Sequence, residues 1–367
     1  MKRVDLLVIG RGVAGLTTAL ALSEAGLDCA VAETVAEADA DDPADCALTA
    51  LNPPWSLPAE VVQLAERSRR LYPNLVAGLG QSTGVDCELR RVGLIVVGEV
   101  SSTGLGWLAE TEQSWQQGRL SDFEPGLAWG HSPAVRLSGV DQIRPSRLKR
   151  ALDLALRQRG IPVLRGRPVR RLDVTGNVIR AVTLDNGARV NADAVILAAG
   201  SSINGLLLAS GLDRLDETGP VVPHLRLNCG DGCVHQAVQT SDLALVPRAD
   251  GRLLVSLAGL DLNGAGSSDL DELLTSLANW LPSLNRFNIE ARWAGYPAGG
   301  CAQRPFIGAY PWIRGLWINA GHCLAGPSIA PAAAELLVDQ LNGGPVPAGL
   351  AVRTRSQRTG PSSILTH

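Results

Sequence analysis

The sequence lacks the features that mark several large classes of protein. Its formal net charge is only −3 and 19% of its residues are charged, so no excess of either sign points to a nucleic acid or an anionic membrane as a partner. The longest stretch without a charged residue, 194–212, contains Gly200, Asn204 and Gly205, which is typical of a strand, a turn and a helix start rather than a transmembrane segment. No cleavable apolar region follows Arg3. We therefore expect a cytoplasmic protein.

The cysteines and histidines lack the spacings of redox and metal sites. The chain has seven cysteines, an odd number, and Cys229 and Cys233 do not have the spacing of a C-x-x-C pair. A zinc site would need a second pair of ligands at a suitable spacing. His131, His224 and His235 show no partner spacing that suggests a catalytic triad or a metal site. We expect free thiols in a reducing compartment and no bound metal.

Hydrophobic patterns predict an α/β chain. Near the N-terminus, the apolar residues over 4–9, 16–25 and 29–32 have the spacing of a strand, a buried helix and a second strand. Helical spacing predicts further helices over 58–79, 107–117, 145–160, 269–280 and 330–341. Strand patterns cover 87–97, 163–164, 169–172, 178–184, 189–199 and 316–320, and we expect 123–137 to be a loop.

The turn between the first strand and the first helix has a dinucleotide-binding sequence. Gly10-x-Gly12-x-x-Gly15 allows a tight turn at the first glycine, a close approach to a pyrophosphate at the second and close packing of helix and strand at the third. The N-terminus of the helix then carries N–H groups and a partial positive charge for the phosphates. Glu33 ends the second strand, where a carboxylate can accept both ribose hydroxyls of an adenosine and would repel a 2′-phosphate. The motif alone does not separate FAD from NAD.

Two later segments favour FAD. The strand over 190–200 runs into a turn of small residues, which lets the chain pass close to a flat cofactor. Near the C-terminus, 315–326 is a strand with a glycine turn, and Pro327 to Pro331 lead into a helix. The N-terminus of that helix can direct N–H groups at an oxygen that becomes negative when a flavin takes up a hydride, which an NAD enzyme does not need.

In order and spacing these segments resemble the D-amino-acid-oxidase superfamily of flavoproteins, and among them most closely the glycine-oxidase-like members. The resemblance covers nearly the whole length of the chain. The matching segments are Gly10–Gly15 with Glu33, Ser68–Tyr72, Arg144-Pro145, Ala192–Gly200, Val246-Pro247-Arg248 with Gly251-Arg252, Trp293–Gly295, Pro305–Gly308, and Ala320-Gly321-His322 with Gly326 and Pro331.

The resemblance implies a Rossmann-like FAD-binding domain with a mixed-sheet substrate domain, and hydride transfer from a C–H next to nitrogen to flavin N5. We expect the first domain to consist of 1–80, 141–215 and 301–345, the second of 81–140 and 216–300, and 346–367 to form a tail. The residues expected to bind FAD are Gly10, Gly12, Val13, Ala14, Gly15, Glu33, Val169, Ala199, Gly200, Gly321, His322, Gly326, Pro327, Ser328 and Ile329.

The chain departs from these relatives where they bind the carboxylate of the substrate. Pro297 and Leu324 stand where the resemblance places two arginines, and Ala244 stands in place of a tyrosine. A carboxylate that leaves water needs charge-assisted hydrogen bonds, and without them its burial costs several kcal/mol. We therefore expect a small amine-type substrate without a free carboxylate.

The sequence does not identify the catalytic residues. Tyr296 can line the substrate face of the flavin and His322 can hydrogen-bond to it, but structural roles are equally open to both. Arg304 can replace the lost arginines in a rearranged carboxylate site, which would keep a glycine or D-amino-acid oxidase activity. A flavin-binding protein with little or no catalysis is the other alternative. Either oxygen or a quinone suits as the electron acceptor, and a covalent link of the flavin to Cys301 or Cys323 has no support.

Overall fold

The structure is a computed structural model of the chain. It describes residues 3–34, 57–99, 114–216, 222–230, 234–257, 274–275, 277–283, 286–295, 304–322 and 325–354. The helices are α1 (Val13–Glu24), α2 (Ala59–Thr83), α3 (Leu120–Phe123), α4 (Pro145–Gln158), α5 (Ile203–Ala209) and α6 (Gly326–Leu341). In the described part of the chain no helix combines the length and the apolar character that a membrane span requires.

The strands alternate with these helices along the chain. They are β1 (Arg3–Ile9), β2 (Cys29–Ala32), β3 (Arg90–Arg91), β4 (Leu94–Val97), β5 (Trp115–Arg119), β6 (Pro133–Leu137), β7 (Asp141–Gln142), β8 (Val163–Leu164), β9 (Val169–Thr175), β10 (Val178–Leu184), β11 (Arg189–Leu197), β12 (Val222–Asn228), β13 (Ala237–Gln239), β14 (Leu243–Pro247), β15 (Arg252–Leu257), β16 (Asn288–Gly295), β17 (Phe306–Ala309) and β18 (Leu316–Ala320). The mixture of helices and strands confirms the predicted α/β class.

Contacts divide the chain into two compact units, and neither unit is continuous in sequence. The first unit consists of 1–38, 149–218 and 298–367, and the second of 39–148 and 219–297. α2 therefore belongs to the second unit, whereas the sequence analysis grouped most of it with the FAD-binding domain. That the first unit binds the cofactor and the second binds the substrate stays a prediction.

The first unit contains a mixed sheet whose central strands are parallel. The strand order is β17-β18-β11-β1-β2-β8, and β10 and β9 extend the sheet from β11. β1 is parallel to both β2 and β11, and its residues Leu7, Val8 and Ile9 are fully buried, which is typical of a parallel strand covered on both faces. α1 connects β1 to β2 and packs against α6. The predicted strand–helix–strand unit at the N-terminus is confirmed.

Three backbone segments meet at the carboxyl end of β1. Gly10 has a φ of +124°, and a Cβ at this position would overlap the carbonyl oxygen of Ala198, directly after β11. A Cβ at Gly15 would overlap the carbonyl oxygen of Gly10, so α1 packs directly on the turn. Gly10 is therefore required by both conformation and packing, and Gly15 by packing. Gly12 differs from both, because an added Cβ there would meet no atom within 4 Å.

The second unit contains an eight-stranded mixed sheet in the order β16-β12-β15-β14-β13-β4-β6-β5. β4 and β13 are parallel, and the other pairs in this order are antiparallel. Successive residues of a strand point to opposite faces of the sheet. One face buries Leu225, Leu227 and Val255 in a hydrophobic core with Leu277 and Leu281. The opposite face carries His224 and Ser256, which are described with the candidate site.

Two secondary-structure predictions are wrong in this second sheet. The predicted helix over 107–117 ends in a described segment that is the strand β5, and the predicted loop over 123–137 contains the strand β6. β5 lies at the edge of the sheet with mostly exposed polar residues, so its sequence has no apolar alternation to mark it as a strand. Pairing with β6, which in turn pairs with β4, overrides local propensity in both segments.

We expect Gly15→Ala to lower the free energy of unfolding of the apoprotein by about 1–3 kcal/mol, because the new methyl group meets a backbone oxygen that cannot move aside. Gly205→Ala is the matched control, because Gly205 lies in α5 of the same unit with no atom within 4 Å of an added Cβ. This control should raise the free energy of unfolding by about 0.5–1 kcal/mol. Chemical denaturation of both variants measures the difference, and equal effects would contradict the packing argument.

Candidate functional site

The N-terminus of α1 has no side-chain cap. Gly12 is its N-cap residue, no side chain hydrogen-bonds to the first turn, and no acidic residue lies in that turn. The first N–H groups of a helix have no acceptor within the helix and lie at the positive end of its dipole. The space beside Gly12 is open. A diphosphate fits this position, where its oxygens can accept hydrogen bonds from the N–H groups of Val13 and Ala14.

Glu33 lies directly after β2 and is only 8% exposed. Its Oε1 accepts a hydrogen bond from Nη1 of Arg11, and its Oε2 accepts one from the backbone N–H of Gly166 at 2.9 Å. A carboxylate has about four lone-pair sites, so each oxygen can still accept one more hydrogen bond, as two ribose hydroxyls require. The expected repulsion of a 2′-phosphate is weaker than the sequence analysis assumed, because Arg11 offsets the charge of Glu33.

The structure limits how Val169 and Ala199 can contact a cofactor. The N–H of Val169 donates to the carbonyl oxygen of Glu33 at 2.8 Å, so a contact with adenine is left to its carbonyl group. The carbonyl oxygen of Ala199 accepts a hydrogen bond from the N–H of Ser202 at 3.1 Å. Gly200 has a φ of +53° and begins a 3-10 turn, which accounts for a glycine at the end of this segment.

The second expected cofactor segment follows β18. Gly321 has a φ of +72°, which turns the chain at the end of this strand, and His322 is buried directly after it. α6 then begins at Gly326, with Pro327 in its first turn, where the missing N–H of a proline costs no helical hydrogen bond. The side chain of Ile329 is fully buried, so a ligand contact from this residue has to use its backbone.

A chain of buried hydrogen bonds connects α1 to the segment before α6. Asn319 Nδ2 lies 2.8 Å from Thr18 Oγ1, and His322 Nε2 lies 2.7 Å from Asn319 Oδ1. Thr18 Oγ1 donates to the carbonyl oxygen of Ala14, which can only accept. The hydroxyl must therefore accept from the Asn319 amide, whose oxygen accepts from His322. The imidazole consequently carries its proton on Nε2.

The other ring nitrogen of His322 is a buried acceptor. Nδ1 has no hydrogen-bond partner among the described residues. Burial lowers the pKa of His322 to about 4, so the ring is neutral at pH 7 and Nδ1 keeps its lone pair. A buried acceptor without a partner is unfavourable unless a donor from a ligand or water completes it. This feature fits a cofactor with hydrogen-bond donors, but direct contact of His322 with the flavin stays a prediction.

The second unit contains a row of side chains that the sequence analysis did not identify. Across neighbouring strands, Ala244 pairs with Ser256, Ser256 with His224, and His224 with Trp293. His224 Nδ1 lies 2.8 Å from Ser256 Oγ, and the ring centres of His224 and Trp293 are 5.8 Å apart. We call these four residues the cross-strand row. His224 and Ser256 are 32 residues apart in sequence, so only the register of the sheet, and no local spacing, brings them together.

The cross-strand row carries no charge at pH 7. Burial lowers the pKa of His224 to about 4, so its ring is neutral. Arg226, the next residue on the same face of β12, is held by Glu290 at 3.2 Å. Arg252 lies 2.6 Å from the same carboxylate, and its hydrogen bond lowers the pKa of Glu290. Both arginines therefore already have a carboxylate partner.

Several of the expected site residues fall between the ranges that the structure describes. Those that lie outside the described residues are Tyr296, Pro297, Cys301, Cys323 and Leu324. Arg304 is described, lies two residues before β17 and is partly buried. Cys29, Cys87 and Cys229 are not part of a disulfide bond. The described His, Cys, Asp and Glu side chains form no group of three that can hold a metal ion.

These features define a dinucleotide-binding fold of the type used by flavoproteins. A family model described as FAD dependent oxidoreductase matches residues 5–340, and the chain belongs to this family. Its cofactor is accordingly FAD, and it is an oxidoreductase. The described residues fit FAD, because FAD can form the hydrogen bonds that three of their groups lack. These groups are the uncapped start of α1, the remaining acceptor sites of Glu33 and the unpartnered Nδ1 of His322.

The chain is similar in sequence to bacterial glycine oxidases. It is 31% identical to glycine oxidase of Pseudomonas aeruginosa, over 92% of this chain and 94% of that protein. It is 30% identical to glycine oxidase of Pseudomonas putida, again over 92% of this chain and 94% of that protein. Among solved structures, glycine oxidase from Geobacillus kaustophilus has the same fold, with a TM-score of 0.83 at 22% identity, over 96% of this chain and 99% of that one.

We expect the free energy of unfolding of the apoprotein to fall by about 3 kcal/mol per buried histidine as the pH is lowered from about 6.5 to about 4. His322 and His224 both have a folded-state pKa of about 4, below that of an unfolded chain, so unfolding takes up a proton from each in this interval. In His322→Gln, unfolding should take up one proton fewer in this interval, so the free energy of unfolding should depend less steeply on pH. Denaturant midpoints measured between pH 4 and 7 check this, and an unchanged slope in both His322→Gln and His224→Gln would contradict it.

Proposed function

We propose that the protein transfers a hydride from a C–H next to nitrogen, in a small amine-type substrate without a free carboxylate, to N5 of its flavin. The observation that carries the substrate class is the uncharged cross-strand row in the second unit. The bound flavin supplies the two-electron acceptor, and the chain binds and orients the two molecules. Oxygen and a quinone both suit as the final electron acceptor.

The cross-strand row offers neutral hydrogen bonds beside apolar surface. Ser256 and His224 form one hydrogen bond with each other, which leaves His224 Nε2 as a second polar group of a ring that is neutral at pH 7. Trp293 Nε1 is a buried donor without a partner among the described residues. The Trp293 ring also packs with Val246 and Leu254. Such a surface suits a small molecule with a neutral polar group and an alkyl portion.

The same surface is unfavourable for a carboxylate. A buried carboxylate needs hydrogen bonds from cationic or several neutral donors, and an unpaired one costs several kcal/mol. Arg226 and Arg252 are already paired with Glu290. By resemblance, Ala244 of the row occupies a carboxylate-binding position, and so do Pro297 and Leu324. The paired arginines and the three replaced positions thus support a substrate in which this group is absent.

For the first unit we propose a set of FAD contacts. N–H groups of Val13 and Ala14 bind the diphosphate, Glu33 binds the ribose hydroxyls, and the carbonyl group of Val169 binds adenine. The segments around Gly200 and His322 and the first turn of α6 contact the flavin end. The complete proposed set is Gly10, Gly12, Val13, Ala14, Gly15, Glu33, Val169, Ala199, Gly200, Gly321, His322, Gly326, Pro327, Ser328 and Ile329.

Similarity to the two Pseudomonas glycine oxidases supports a second candidate function. Proteins with about 30% identity over nearly their whole length often share a substrate class, and glycine is an amino acid. This alternative requires a cation for the carboxylate. Arg304, which lies two residues before β17, is the residue that we assign to it.

We expect secondary and N-alkyl amines to bleach the bound flavin under anaerobic conditions faster than buffer alone, and glycine and D-alanine to bleach it far more slowly. Stopped-flow absorbance of the holoenzyme with a panel of these compounds measures the rates. Arg304→Ala should leave reduction by amines unchanged. Bleaching by glycine that is lost in Arg304→Ala would instead establish the amino-acid oxidase alternative, and no bleaching by any compound would leave a flavin-binding protein without the proposed activity.

We expect Ser256→Ala and His224→Leu each to slow flavin reduction by the best amine about tenfold, because each removes one neutral hydrogen bond worth about 1 kcal/mol or more. The visible spectrum of the bound FAD is recorded for each variant, so that loss of the cofactor is told apart from slower reduction. Ser241→Ala is the matched control, since Ser241 is an exposed serine beside β14 that hydrogen-bonds to Asp242. Wild-type rates of flavin reduction in both Ser256→Ala and His224→Leu would show that the cross-strand row does not bind the substrate.

A further inference from the structure

We propose that Arg11 is a positioning residue for the adenosine half of FAD, and that it acts by holding Glu33 in the orientation that accepts the ribose hydroxyls. This inference rests on the proposed contact between Glu33 and the ribose. Arg11 occupies the variable position between Gly10 and Gly12 of the nucleotide-binding turn, where the motif itself asks for no particular side chain.

The Glu33 carboxylate is held at both of its oxygens. Arg11 binds Oε1 and the backbone N–H of Gly166 binds Oε2, so the two oxygens are held from different sides. The Glu33 and Arg11 side chains are 10% and 16% exposed, which places the pair largely out of water. A carboxylate that is held at both oxygens has a fixed plane, and its remaining lone pairs therefore point in fixed directions.

Arg11 also lies beside a second carboxylate. Its Nε is 3.6 Å from Oδ1 of Asp153, a buried residue of α4, which is an ion pair without a hydrogen bond. Asp153 also pairs with Arg157 at 3.1 Å and with Arg165. The guanidinium of Arg11 thus lies between two carboxylates, one of which is anchored by other arginines. This arrangement restrains the rotamers of Arg11, and through it the carboxylate of Glu33.

The charges of this cluster do not cancel. Three arginines, Arg11, Arg157 and Arg165, face two acids, Glu33 and Asp153, so the cluster has an excess of one positive charge. Without Arg11 the two remaining arginines still balance the two acids, so the cluster does not become negative beside the diphosphate. Removing Arg11 would leave Glu33 without a cationic partner, so its Oε1 would no longer be held in a fixed direction.

We expect Arg11→Met to weaken FAD binding by the apoprotein about 10- to 100-fold, the range for loss of a hydrogen bond to a charged group. Binding of an FAD analogue with a 2′,3′-dideoxyribose in its adenosine half should change less than about threefold, because the hydroxyls that Glu33 accepts are missing from it. Quenching of tryptophan fluorescence measures both dissociation constants. Arg11→Lys should recover only part of the loss, because an ammonium group lacks the planar fork of a guanidinium.

Two further variants separate positioning from a general loss of stability. In the double variant Arg11→Met with Glu33→Gln, FAD should bind about as weakly as in Glu33→Gln alone, because Arg11 acts through Glu33. Arg159→Gln is the matched control, since Arg159 forms an exposed ion pair with Glu24 at 3.0 Å in the same unit, and it should leave both affinities unchanged.

Each outcome decides between the proposals. If Arg11→Met loses affinity equally for FAD and the dideoxy analogue, or loses affinity for neither, the proposed role of Arg11 is wrong. Additive effects of Arg11→Met and Glu33→Gln would also overturn it. If Arg11→Met does not fold, the ratio of the two dissociation constants in Arg11→Lys gives the same decision. A wild-type protein that does not bind FAD would refute the proposed function instead, and a wild type that binds FAD but is unaffected by Arg11 refutes only this inference.

Discussion

The close approach of three backbone segments at the end of β1 determines how the first unit is assembled. The carbonyl oxygens of Ala198 and Gly10 occupy the space that side chains would need at Gly10 and Gly15, so β11, the turn and α1 pack together only with glycine at both positions. This packing sets the position at which α1 begins and leaves its first turn without a side-chain cap. It also places Thr18 within hydrogen-bonding distance of Asn319, which connects the start of the chain to the segment before α6.

The sequence predicted those parts of the fold and site that depend on local patterns. The glycine turn, Glu33 and the strand–helix–strand unit are encoded within about thirty consecutive residues, and the spacing alone reveals them. The pairing of His224 with Ser256, by contrast, depends on the register of two strands, and β5 becomes a strand only because β6 lies beside it. Arg11 stood inside the recognised motif, but its partners Glu33 and Asp153 meet it only after three separate segments have packed.

The two units differ in how they place charge. In the first unit, arginines and carboxylates are clustered beside the turn where a diphosphate fits, and the excess is positive. In the second unit, the cross-strand row is neutral, and the neighbouring Arg226 and Arg252 both pair with Glu290, with Asp250 as a second partner of Arg252. This contrast suits a protein that binds a strongly anionic cofactor together with a substrate of little or no negative charge.

The hydrogen bond between Thr18 and Asn319 joins residues that are 301 positions apart. During synthesis on the ribosome, the nucleotide-binding turn therefore emerges long before the residues that complete its surroundings. In the same way, β11 is made long before β18, its parallel partner in the sheet. Contacts of such high sequence separation form late and slowly, which exposes the apolar strands β1 and β2 in the meantime. The surroundings of the nucleotide-binding turn are therefore complete only after the segment around Asn319 has left the ribosome, whatever other segments fold earlier.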